Sequence, residues 1–305
     1  MRLIYMGTPD FAVPALEWLI KSAHDVSLVV TQPDKPAGRR QVLTPPPVKK
    51  LALDHSIEVY QPGSLKTGEA YERLSALNPD IIIVAAYGKI LPRAILDIPK
   101  YGCVNLHGSI LPKYRGAAPI QWAVINGEAE TGITTMLMNE GIDAGDILLC
   151  EKTPIGENET AGELFDRLAA MCPGILAETL EKIEGGTIVR VRQNDAEATY
   201  APPLGKEMSL IDWSFTANSI HNKIRGLAPW PVAVADIGPK RVKLFSSIKT
   251  GRIKTDGGPV FFAEEEGLFA VCGDGGVLFL PEVQPEGGKR MSSADFLRGN
   301  KTNQI

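Results

Sequence analysis

This chain of 305 residues has no long apolar run, no paired cysteine spacing and no strong excess of either charge. Its apolar runs, such as Ile81-Ile82-Ile83-Val84-Ala85-Ala86, fall far short of the roughly 18 to 20 residues needed to span a bilayer, so no membrane partner is expected. The four cysteines, Cys103, Cys150, Cys172 and Cys272, have the spacing of neither a disulfide framework nor a zinc cluster. No metal is expected. Cys103 is expected to be structural, turned to the apolar face opposite Asn105. The opening Met1-Arg2-Leu3-Ile4-Tyr5-Met6-Gly7 goes straight into a strand-like run without the regions of a secretory signal, which points to the cytoplasm. A net charge of -4 carries no global sign of a nucleic-acid partner. The charge is uneven, however: residues 1–205 hold 19 Lys and Arg against 25 Asp and Glu, and residues 206–305 hold 13 against 11. So mild a contrast is more often a solvated surface than a binding face.

With 44% hydrophobic residues, the chain is long enough to fold as two domains. Leu3 to Met6, a turn at Gly7 to Phe11 and an apolar-periodic segment to Lys21 read as strand, turn and helix. Val26 to Thr31 is the next strand. A helix at Pro47 to Asp54, a strand at Ile57 to Val59, a helix from Thr67 to Leu77 and the strand Ile81 to Ala85 continue the alternation. Such alternation predicts an α/β fold built on a mainly parallel, Rossmann-like sheet. The first turn lacks Gly-x-Gly-x-x-Gly, which disfavours a nicotinamide site.

In open α/β sheets the ligand sits beyond the carboxyl ends of the strands, where Gly7, Tyr87-Gly88 and Asn105 to Gly108 gather. In the run Val104-Asn105-Leu106-His107, alternation puts Asn105 and His107 on one face. An amide beside an imidazole can polarise a carbonyl and manage a proton, though such pairs are more often ordinary hydrogen-bonded residues. A helix follows Pro119 to Asn126. Strands at Gly132 to Met138 and Asp146 to Cys150 then bracket a Gly-framed loop carrying Asp143, with Asp146 as the rival carboxylate.

Thr160-Ala161-Gly162-Glu163 is a capping-box start to a long helix ending at Gly185-Gly186. The predicted boundaries are a catalytic domain over 1–189, a polar linker over 190–206 and a C-terminal domain over 207–305. The last holds one helix at Thr216 to Arg225 and several short strands between Gly, Pro and Asp turns, the pattern of a small β-barrel of which an oligonucleotide-binding (OB-like) type is one form.

Several segments together carry a resemblance: Met6-Gly7-Thr8-Pro9-Asp10-Phe11-Ala12, Gln32-Pro33-Asp34-Lys35-Pro36-Ala37-Gly38-Arg39, Ala86 to Pro92, Val104 to Pro119, Glu140 to Asp146, Ile211-Asp212-Trp213 and Pro229-Trp230-Pro231. From end to end the sequence resembles the bacterial methionyl-tRNA formyltransferases, a branch of the folate-dependent formyltransferase family. The resemblance implies formyl transfer from 10-formyltetrahydrofolate to the amino group of initiator methionyl-tRNA. It implies a catalytic set of Asn105, His107 and Asp143, and a folate wall of Ser109, Ile110, Leu111 and Pro112, where Ile110 departs from the family's Ser-Leu-Leu-Pro by an aliphatic exchange. Lys113 and Arg115 lie just beyond, where a cation can meet the cofactor's glutamate or a phosphate.

Arg39, Arg40 and Lys206 are the candidate tRNA contacts, with Lys243, Lys249, Arg252 and Lys254 as a basic stripe. Taken singly, each of these is an ordinary solvated charge. The C-terminal domain is less basic than the family leads one to expect. The protein is expected to be a monomer. Two rival readings are a formyltransferase or formyl-folate hydrolase serving another acceptor, and a noncatalytic RNA-binding module.

Overall fold

The computed structural model describes residues 1–38, 41–255, 257 and 260–299. Seven strands form its principal sheet: β1 (Arg2–Gly7), β2 (Asp25–Val30), β3 (Val59–Tyr60), β4 (Ile81–Ala85), β5 (Cys103–His107), β6 (Glu130–Leu137) and β7 (Asp146–Pro154). Their order is β7-β6-β5-β4-β1-β2-β3. The β1, β2, β3, β4 and β5 pairings are parallel, and β5 meets β6 antiparallel. Every residue of β4 is buried, as a strand covered on both faces requires, which is why Ile-Ile-Ile-Val-Ala shows no polar alternation. The chain runs from β1 outward through β2 and β3, then returns to the other side of β1 with β4 and β5. That reversal creates a crevice at the carboxyl ends of β1 and β4.

The helices begin where the sequence provides caps. Thr67 accepts a hydrogen bond from the Ala70 amide at the head of Gly68–Ser75, and Thr216 accepts one from the Ser219 amide at the head of Ala217–Gly226. The capping box forms in both directions: the Thr160 amide donates to Glu163 Oε2 at 2.8 Å, and the Glu163 amide donates to Thr160 Oγ1 at 3.2 Å. The helix so started spans Ala161–Glu184.

The chain divides into two compact units. The first comprises residues 1–119, 131–153 and 165–201, and the second 120–130, 154–164 and 202–305. Boundaries at 189 and 207 do not anticipate the two short segments in the second unit. The second segment is tied in by polar contacts: Arg225, 5% exposed, donates to the carbonyls of Gly156 and Glu159, and His221 bonds the Glu157 carbonyl at 2.9 Å. Residues 190–201 belong to the first unit, where Tyr200–Ala201 pairs in parallel with Arg115–Gly116.

In the second unit the strands fall into two four-stranded antiparallel sheets. One joins Ala233–Ile237, Lys240–Leu244, Glu282–Pro285 and Met291–Ser292, and the other joins Ile248–Ile253, Gly276–Leu280, Gly267–Val271 and Phe261–Glu264. The chain passes from one sheet to the other between Leu244 and Ile248, at Phe245 to Ser247.

Cys103 is corrected by the register. Ile82 pairs with Cys103 and Val84 with Asn105, so strand alternation puts Cys103 on the same face as Asn105 rather than opposite it. The thiol nonetheless sits deep in the apolar cluster of Ile4, Met6, Ile82, Val84 and Ile95, where burial pushes it up to about 12. Burial also pushes Cys172 and Cys272 to about 12, while Cys150 is exposed. Alkylation of the native protein near pH 8, read by peptide mass spectrometry, is expected to modify Cys150 and spare the other three. Thr160→Ala, which removes one half of the capping box, is expected to cost about 1 kcal/mol in urea denaturation.

Candidate active site

The sheet brings three strand ends level, since Gly7 pairs with Ala85 and Ala85 with Leu106. Just past them, Thr8 Oγ1 and Gln32 Nε2 both donate to the Tyr87 carbonyl, at 3.1 and 2.9 Å, tying the first two loops to the third. His107, the last residue of β5, is 5% exposed, and Asn105 is 8% exposed. Among the described residues no hydrogen bond takes up the Asn105 carboxamide, yet it is not one of the sealed, unpartnered polar atoms, so it faces accessible space. A nearly buried amide left open in this way is costly unless a ligand completes it.

The imidazole is oriented from both sides. His107 Nε2 lies 2.9 Å from the Tyr114 carbonyl. A carbonyl oxygen only accepts, so Nε2 carries a proton whatever the charge of the ring. The other nitrogen, Nδ1, faces Asp143 Oδ2 at 3.7 Å. Asp143, rather than Asp146, is the carboxylate that reaches the ring among the described residues. The same oxygen of Asp143 accepts from the Gly116 amide at 2.8 Å. Asp143 has φ 48°, a left-handed conformation that few L-residues adopt. Gly145 lets the loop fold back, since a Cβ there would lie 1.8 Å from the Leu137 carbonyl.

The turn after His107 is braced internally. Thr134, the register partner of His107 on β6, donates from Oγ1 to the Ser109 carbonyl at 2.6 Å and accepts from the Leu111 amide at 3.2 Å. Ser109 Oγ donates to the Lys113 carbonyl at 2.7 Å. Of the four residues expected to line a folate wall, Ser109 and Leu111 are thus buried structural members, while Ile110 and Pro112 are half-buried and present apolar surface. An apolar surface beside an open amide suits the binding of a flat heterocycle.

Several functional expectations change. Arg115, expected as an outward cation, is 3% exposed; its guanidinium donates to Gln193 Oε1 at 3.0 and 2.8 Å and to Asp195 Oδ1 at 2.8 Å. A buried guanidinium needs such acceptors, so it is unavailable to a phosphate. Lys113 is exposed. Sequence periodicity missed Gln193, Thr134 and the Tyr114 carbonyl; for Thr134 a signal existed, in the paired threonines Thr134-Thr135 set between Ile133 and Met136.

Arg39 and Arg40 lie outside the described residues. The strands on either side of them, Lys35–Ala37 and Val42–Thr44, pair antiparallel. The base of that hairpin is fixed by Lys49, which donates to Asp34 at 2.8 Å and to Gln61 at 2.8 Å; these hydrogen bonds, with that from Gln61, hold the Asp34 carboxyl below its usual range. Lys206 is exposed in the second unit, as is Lys243. The rest of the basic stripe is engaged locally: Lys249 pairs with Glu157 at 3.0 Å, Arg252 with Glu264 at 2.6 Å, and the Lys254 ammonium lies 4.4 Å over the Phe262 ring. No group of three or more His, Cys, Asp or Glu among the described residues is placed to hold a metal ion. No helix among them is long and apolar enough to cross a membrane.

Residues 1–180 match the family described as Formyl transferase, and residues 203–301 match that described as Formyl transferase, C-terminal domain. The chain is 48% identical over 301 residues to the methionyl-tRNA formyltransferase of Citrifermentans bemidjiense, covering 99% of this chain and 94% of that protein. It is 45% identical over 299 residues to that of Bacillus subtilis, covering 98% and 94%. Among solved structures, the sugar 3N-formyl transferase WlaRD, crystallised with dTDP and 5-N-formyl-THF, superposes with a TM-score of 0.69 at 21% identity, covering 91% of this chain and 96% of that one. Methionyl-tRNA formyltransferase from Clostridium thermocellum superposes at 0.58 and 22% identity, covering 84% and 97%. At these identities the structures speak for the fold, and the sequence matches speak for kinship: the chain belongs to the formyltransferase family.

Proposed function

We propose that this protein transfers the formyl group of 10-formyltetrahydrofolate to the amino group of initiator methionyl-tRNA, in the cytoplasm, with Asn105, His107 and Asp143 as the catalytic set. The observation that carries the chemistry is the open carboxamide of Asn105 on the same strand face as an imidazole whose Nδ1 lies 3.7 Å from a carboxylate. The likeness to the curated relatives over nearly the whole length supports the choice of acceptor.

The co-substrate supplies, when bound, a formyl carbon already attached to nitrogen and open to attack by an amine. Asn105 donates a hydrogen bond to the formyl oxygen as negative charge builds there. The attacking amine must shed a proton; His107 takes it at Nδ1, beside the Asp143 carboxylate, and returns it to the departing nitrogen. The Tyr114 carbonyl keeps the ring from turning while it does so. Ile110 and Pro112 give an apolar flank to the folate ring system, with Ser109 and Leu111 holding the turn behind them. Arg39 and Arg40, with Lys206 and the exposed part of the basic stripe in residues 207–305, meet RNA phosphates, which position the acceptor without reading its sequence. The local pairs at Lys249 and Arg252 are surface ion pairs, and these are weak enough to yield to a phosphate.

Asn105→Ala is expected to lower kcat by about 10²- to 10³-fold through the loss of one oxyanion donor. His107→Ala and Asp143→Ala are expected to lower it by about 10²- to 10⁴-fold through the loss of proton handling, all three with thermal unfolding near that of the parent. A near-parental rate in any one removes that residue from the scheme. The assay supplies 10-formyltetrahydrofolate with initiator methionyl-tRNA, another methionyl-tRNA or no acceptor. Transfer to the initiator species alone supports this reading; release of folate without acceptor favours a hydrolase, and no turnover favours a binding module. Binding of initiator tRNA is expected to weaken steeply with salt, and Lys206→Ala is expected to lower the log-log slope by about one if it meets a phosphate. A flat salt dependence would count against the basic contacts.

A further inference from the structure

Gln193 lies 50 residues beyond Asp143 in sequence and has no ionisable group, yet each polar atom of its side chain is committed to the catalytic loop or to its support. Oε1 accepts from Arg115 Nε and Nη2 at 3.0 and 2.8 Å. Nε2 donates to the Asp143 carbonyl at 2.9 Å and to the Gly145 carbonyl at 2.7 Å. A guanidinium only donates and backbone carbonyls only accept, so the amide has one workable orientation. Turning it over would set donor against donor and acceptor against acceptor.

Arg115 is in turn held at Asp195, and its neighbour Gly116 gives its amide to Asp143 Oδ2 at 2.8 Å. The dipeptide Arg115-Gly116 therefore grips Asp143 twice, once at the carboxylate through Gly116 and once at the backbone through Gln193. The strand Tyr200–Ala201, paired alongside, fixes where that dipeptide lies. Both grips act on a residue in a left-handed conformation, which an untethered loop would readily leave. A carboxylate 3.7 Å from His107 Nδ1 serves only while its loop stays in place.

We infer that Gln193 is a positioning residue for formyl transfer: it holds the backbone of Asp143 so that the carboxylate stays at Nδ1 of His107. The inference rests on the reading of Asp143 as the partner of His107. Gln193→Glu isolates the effect, because the carboxylate still accepts from Arg115 but has no hydrogens for the two loop carbonyls. The variant is expected to fold, with kcat lowered about 10- to 100-fold and KM for both substrates within about twofold.

Two readouts separate positioning from a general structural role. In single-turnover assays on an Asp143→Ala background, Gln193→Glu is expected to cause no further loss. In ¹⁵N-histidine spectra of the resting protein, it is expected to move the imidazole resonances of His107 and leave those of His24, His55 and His221 in place. Parental kcat, an equal loss on the Asp143→Ala background, or unmoved His107 resonances would each overturn the inference. If Gln193→Glu does not fold, Gln193→Met removes the donors without adding charge, along with the Oε1 acceptor, while Asp195 still accepts from Arg115; it is then read by the same two measurements. Parental turnover in Asp143→Ala alone would instead overturn the catalytic reading of Asp143, so the two failures are distinguishable.

Discussion

A carbonyl oxygen can accept a hydrogen bond and never give one, and the site depends on that asymmetry at Tyr114. Because His107 Nε2 meets this oxygen at 2.9 Å, the ring turns Nδ1 toward the Asp143 carboxylate. Everything around the imidazole serves to keep that arrangement: Thr134 braces the turn that leads to Tyr114, and the antiparallel register sets Thr134 beside His107. The Asp143 loop closes on the remaining nitrogen. The single nearly buried polar group in this set with no protein partner among the described residues is the carboxamide of Asn105. Unlike Thr31 Oγ1 and Tyr87 Oη, which are sealed from solvent without a partner, the Asn105 carboxamide is left open to accessible space, where an incoming group can supply the missing half.

Most of the first unit was legible because its pattern is local. A fully buried parallel strand reads as an uninterrupted apolar run, so β4 was delimited correctly, and the helix Pro47–Asp54 followed from its leading prolines. A capping threonine marks the start of the helix Gly68–Ser75, as Thr160 and Thr216 mark two starts in the second unit. The second unit was less legible because its strands are short and its membership is not contiguous. Residues 154–164 join it through carbonyls that satisfy His221 and Arg225, and residues 120–130 through the packing of Ile125 on Gly226, and no hydrophobic period records which carbonyl a distant guanidinium will use.

At the site, the alternation of β5 was enough to place Asn105 and His107 on one face, and the glycines around Asp143 marked a loop able to fold back. The same alternation, applied to Cys103, contradicts the expectation that it faces away; what isolates the thiol is depth in the apolar cluster, not sidedness. Arg115 illustrates the limit of reading charge as exposure. Its burial depends on Gln193 and Asp195, about 80 residues later by the separations of 78 and 80, and a polar stretch looks like a linker until its partner is known.

The interleaving of the two units means that the protein has no single place at which it can be cut. A fragment starting at residue 207 would keep the Arg225 guanidinium and the Asn222 oxygen that accepts from its Nε at 2.9 Å, but lose the Gly156 and Glu159 carbonyls that receive Nη1, leaving a buried charge short of acceptors. The helix Ala217–Gly226 would also lose Ile125, which packs so closely on Gly226 that a Cβ there would lie 2.4 Å from Ile125 Cγ1. The C-terminal unit is therefore inherited with two pieces of the polypeptide that precede it, and chain exchange between relatives must carry all three segments together to transplant a folded unit.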